Sequence, residues 1–88
     1  PEEYHDGLWD NLITSAVKPV DRSHNLATMF HAFTKAKQIE YVQETEKHVL
    51  RMLNKAFHKN PRQANFYGIM HHTLRLQIDM LKNALKMD

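Results

Sequence analysis

The chain contains no cysteine. Neither a disulfide framework nor a thiolate metal site can be built from it, and the absence fits a reducing compartment. Glycine and proline are scarce, at two and three in 88 residues. Few turn-formers and many Ala, Leu, Met, Lys and Gln predict long helices and few loops. No apolar run approaches the ~20 residues that span a bilayer, and no secretory signal pattern is visible. A cytoplasmic location is therefore the expectation. Neither sign of charge dominates: the formal net charge is +2 at pH 7, too small to imply a nucleic-acid partner by itself. Alternating strand patterns are absent as well. Leu74 to Ile78 alternates briefly, but inside an uninterrupted helical run, so helix wins on length.

What is present is an ordinary globular composition, 42% hydrophobic and 25% charged. Eighty-eight residues make a single domain, 1–88, with a modest core. The chain opens on Pro1 without a methionine. It reads as a chain trimmed after its initiator or as a domain cut from something longer.

The stretch from Asn60 to Asp88 organises the rest. Asn60-Pro61-Arg62-Gln63 predicts a helix start, with Asn60 as cap, Pro61 at the first helical position and Gln63 reaching back as in a capping box. At about 100° per residue, Tyr67, Met70, Leu74, Ile78, Leu81 and Leu85 share one stripe. Ile69, Leu76, Met80 and Met87 share a second, roughly 180° away. A surface helix needs one apolar stripe, so a helix with two is covered on both sides. Gly68, which costs ~1 kcal/mol relative to alanine inside a helix, points to a close helix approach or a bend.

The opening is acidic, with Glu2, Glu3, Asp6 and Asp10, as suits a helix start. Leu8-Trp9, Leu12-Ile13 and Ala16-Val17 come next as apolar pairs every four residues. They predict a one-sided amphipathic helix ending at Lys18 before Pro19, with Trp9 as a core anchor. Pro19 to Arg22 reads as a linker, with Asp21 or Ser23 capping the next helix. Beyond it the apolar face moves: Leu26, Met29, Phe30 and Phe33 share one face, and Ile39, Val42, Val49, Leu53 and Ala56 another, roughly 160° round. A bend near Thr34 to Gln38 explains the switch, with Lys35 and Lys37 ending one helix and Glu40, Glu44 and Glu46 beginning the next. A continuous helix over 23–59 would instead be ~55 Å long and would require an intertwined dimer. The expected fold is all-α: a small bundle of about four helices, near 6–18, 23–36, 39–59 and 61–87, with the intertwined homodimer as the other arrangement.

Seven histidines are the compositional oddity: His5, His24, His31, His48, His58, His71 and His72. Metal ligands on a helix want a one-turn spacing, which only Glu44 with His48 offers. Collective protonation near pH 6 is a second reading. Unrelated surface histidines are the plain one, and neither metal nor cofactor is expected. Lys47, Arg51, Lys55 and Lys59, spaced four apart with Arg62 nearby, predict a basic ridge suited to phosphates or an acidic partner. A solvated face opposite Val49, Leu53 and Ala56 is the plainer account, and no aromatic residues interleave to stack bases. No glycine-framed serine or phosphate-cradling loop occurs, and the paired carboxylates, Glu2-Glu3 and the Glu40, Glu44, Glu46 group, suit helix starts, so no enzymatic activity is expected. Five methionines suit either gap-filling or an adaptable docking surface. The sequence points to a non-enzymatic protein–protein interaction or regulatory module. It would dimerise or dock a helical partner through Ile69, Leu76, Met80 and Met87, with binding through the basic ridge as the alternative.

Overall fold

The computed structural model describes residues 12–87. Among them the chain is all-helical, with no strand, and folds into three long helices rather than four. The expectations that rest on Asp6, on Trp9 and on His5 lie outside the described residues.

Helix α1 spans Leu12–Thr28 and ends in a 3₁₀ turn over Met29–His31. It runs straight through Pro19, so the linker expected there does not exist, and Ser23 lies inside α1 rather than capping a second helix. A proline inside a helix removes one bond to the carbonyl four residues back. Here its ring is fully buried, so apolar burial offsets part of that cost. Because the helix continues, its inner face is set by Ser15, Pro19 and Leu26. Ile13 and Val17 lie roughly 140–180° round from Leu26 and are exposed, contrary to the one-sided face expected to pack inward; Val20, expected in the linker, is exposed with them.

The break between the first and second helices falls where the face switch requires it. Thr34 has extended backbone (φ −64°, ψ 161°), and its hydroxyl oxygen accepts from the Lys37 backbone N–H at 3.3 Å, an N-cap. Lys35 and Lys37 thus open a helix instead of closing one. Lys37 Nζ sits 4.9 Å over the Phe33 ring. Helix α2 then runs over 35–59: α-helical at Lys35–Glu44, π-helical at Thr45–Val49, α-helical again at Leu50–Lys59. Twenty-five residues give about 37 Å, matching the longest dimension of the molecule, 37 Å. The break at Thr34 removes the ~55 Å helix that would have demanded an intertwined dimer.

A 3₁₀ turn at Pro61–Gln63 leads into α3, Ala64–Ala84. The expected capping box does not form. Asn60 Nδ2 instead donates back to the Ala56 carbonyl at 3.3 Å, finishing α2. Gln63 Oε1 accepts from the Tyr67 hydroxyl at 3.0 Å. At the far end Lys86 adopts φ 57°. The Met87 N–H reaches the Lys82 carbonyl at 2.8 Å, the long bond of a Schellman close.

The core lies between α2 and α3, the most extensive pairing, with α1 packed chiefly on α3. Val42, Leu53, Tyr67, Leu74 and Ile78 are fully buried, and Leu26 and Met29 close the core from α1. Polar ties fix α1 on α3: the Ser15 hydroxyl lies 2.7 Å from that of Tyr67. Ser23 Oγ donates to Gln77 Oε1 at 2.7 Å, and Gln77 Nε2 returns to the Ser23 carbonyl at 3.0 Å.

Candidate protein-docking surface

The inner stripe of α3 is buried as its spacing predicts, with Met70 half-buried. The outer stripe divides. Ile69, Leu76 and Met80 are 64%, 51% and 71% exposed, so the bundle does not cover them. Met87 is different: it is partly buried and packs against the core. The cause is the left-handed turn at Lys86, which folds the chain back and carries Met87 off the outer face. The second stripe is therefore three residues long.

Met80 also lips an apolar groove of about 300 Å³, lined by Leu26, Ala27, Phe30, Leu81 and Ala84 with Gln77. Phe30, expected beside Leu26 and Met29, is exposed on the other lip. A second apolar groove opens along α1 between Ala16, Val17, Val20, His24 and Phe66. Gly68 faces α2: a Cβ there would meet the Phe57 ring at 3.7 Å, ordinary contact distance. The glycine is thus not required for a close approach.

The π turn at Thr45–Val49 falls within the basic ridge, at Lys47. Lys47, Lys55, Lys59 and Arg62 are exposed, and Arg51 is half-buried. Arg51, Lys55 and Lys59 each engage groups within the chain.

The carboxylates expected to open a helix lie mid-helix and serve as cross-links. Glu44 Oε1 accepts from Arg22 Nη2 at 3.2 Å, and the Arg22 guanidinium also stacks 4.2 Å from the Tyr41 ring centre. Arg22 Nη1 reaches Thr45 Oγ1 at 3.3 Å, so α1 holds the π turn from one side. Glu46 holds it from the other, accepting from Lys82 Nζ at 2.7 Å and Arg75 Nη2 at 2.7 Å. The Lys82 ammonium first, and the Arg75 guanidinium beside it, keep the Glu46 carboxyl below its ordinary range. Asp79, 2.9 Å from Arg75, and Glu46 push the Arg75 guanidinium up.

These links take Glu44 away from the metal-ligand role that its spacing to His48 offered. Among the described residues no group of three His, Asp or Glu is placed to hold a metal ion. His24, His31, His58 and His72 are exposed and lie on all three helices. No helix among the described residues is long and apolar enough to cross a membrane. No known protein family, curated protein or solved structure matches the chain.

Proposed function

We propose that the protein is a non-enzymatic interaction module that docks a helical partner through the outer face of α3. The observation that carries this reading is the exposure of Ile69, Leu76 and Met80 on a helix whose inner stripe is already buried. Residues at this spacing present a row of apolar knobs to an incoming amphipathic helix. Large exposed apolar side chains gathered on one face mark interaction surfaces. Met80 adds an unbranched, adaptable side chain at the groove lip.

Binding of phosphates or an acidic surface through Lys47, Arg51, Lys55, Lys59 and Arg62 has weaker support. Arg51 is half-buried, and Arg51, Lys55 and Lys59 already engage groups within the chain.

A photo-crosslinking amino acid placed at position 76 tests the docking reading in cells. A discrete covalent adduct with another protein chain, lost when Ile69 and Met80 are both changed to Glu, is the expected result. An adduct pattern unchanged by those two substitutions, or none at all, overturns it.

A further inference from the structure

A second surface, on a different helix, shows a pattern that the docking face of α3 does not explain. Ile13, Val17, Val20, His24 and Ala27 succeed one another at spacings of four, three, four and three. That is the alternation of a two-stranded coiled-coil seam. All five are exposed, Ile13 at 75%, Val17 at 59% and Val20 at 50%. The inner face of the same helix is already satisfied by Pro19, Leu26 and the Ser15–Tyr67 hydroxyl pair.

We propose that a second copy of this chain covers this seam, α1 packing antiparallel on α1 about a two-fold axis between Val17 and Val20. Three observations favour a second copy over a different partner. First, the seam is self-complementary: Val17 meets the second copy's Val20, and Ile13 meets its His24. Second, charge permits like-on-like packing. None of the apolar seam residues is charged, and the flanking Lys18 and Asp21 are of opposite sign. In this register Asp21 falls beside the second copy's Ala16, so no two like charges oppose each other. A parallel pair would instead stack His24 on His24. A single polar residue in an apolar seam sets register in this way.

Third, the area suffices. Burying one side chain of this size removes roughly 60–120 Å² of apolar surface. With Leu12 and the edge of Phe66 beside the seam, the face offers about 300 Å² per copy. At an apolar share of about 60%, a symmetric pair buries about 1,000 Å² in all. Specific interfaces begin near 1,000 Å², so the dimer stands at the small end of that class. The pair leaves the outer face of α3 around Leu76 open for a further chain.

Sedimentation equilibrium of the full chain over a concentration series tests this. A mass that rises to twice the chain mass is expected, and Val17→Glu with Val20→Glu should hold it at the monomer value. Because the chain has no cysteine, Val17→Cys with Val20→Cys gives an independent readout. Mild oxidation should yield covalent dimers, and Leu76→Glu in that background should leave the yield unchanged. A monomer at every concentration overturns the proposal, as does a dimer indifferent to the Val17 and Val20 substitutions. A dimer lost with Leu76→Glu would place self-association on α3 and also overturns it. The docking reading, tested by crosslinking at position 76, stands or falls separately.

Discussion

Glu46 shows how one carboxylate ties two elements together. It sits in the π turn of α2 and accepts from Lys82 and Arg75, a full two turns apart on α3. These partners depress its folded-state proton affinity, so its contribution to stability has a defined direction. It is fully present above the ordinary glutamate value of 4.5 and is lost as the pH falls through the lowered folded value. Because the side chains are partly exposed, water screens the interaction, and Glu46→Gln should cost about 0.5 kcal/mol at neutral pH. The difference between variant and wild type should vanish in acid, below that lowered value. Denaturant unfolding at the two pH values measures it, and a difference that persists unchanged in acid refutes the ionic account. Lys86 gives a second prediction. It holds a left-handed backbone, φ 57°, at the position where helices favour glycine. Lys86→Gly relieves that strain and should stabilise by about 0.5–1 kcal/mol, read as a raised melting temperature.

The elements were partly legible in the sequence. The two stripes of α3 come from a 3.6-residue period over a run without proline, and burial along the inner one agrees with it. The switch near Thr34 was legible because Leu26 and Met29 cannot share a straight helix face with Val42 and Leu53. Other features were hidden for physical reasons. Pro19 is a helix breaker only through one lost bond and one clash, and tertiary burial of its ring outweighs a local rule. The π turn at Thr45–Val49 leaves no compositional mark, so it could not be read from spacing. Met87 left the outer stripe because a non-glycine residue took the left-handed position. Gly68 offers the test at this scale. It lies inside α3 with Phe57 at 3.7 Å from a Cβ position, so alanine fits without displacement. Gly68→Ala should gain about 1 kcal/mol of helix stability, seen in the unfolding midpoint. A loss instead would mean that α2 and α3 pack more tightly there than this distance implies.

At the scale of the whole molecule, the three helices of the described residues bury one face each and leave apolar side chains exposed on α1 and on α3. A small domain gains most of its stability from the few side chains that are fully enclosed. Neighbouring leucines on α3 therefore separate the two roles. Leu74 is fully buried and Leu76 is half exposed. Leu74→Ala should cost about 2–5 kcal/mol, since it opens a cavity in the core. Leu76→Ala should stay within about 0.5 kcal/mol in dilute solution, where no second chain covers it. Unfolding by urea at low protein concentration compares the two directly. If Leu76→Ala costs as much as Leu74→Ala, the outer stripe is enclosed in the folded state itself, and the docking face of α3 is part of the core. If the two costs separate as expected, the outer leucine contributes little to folding and stays available to the proposed docking face.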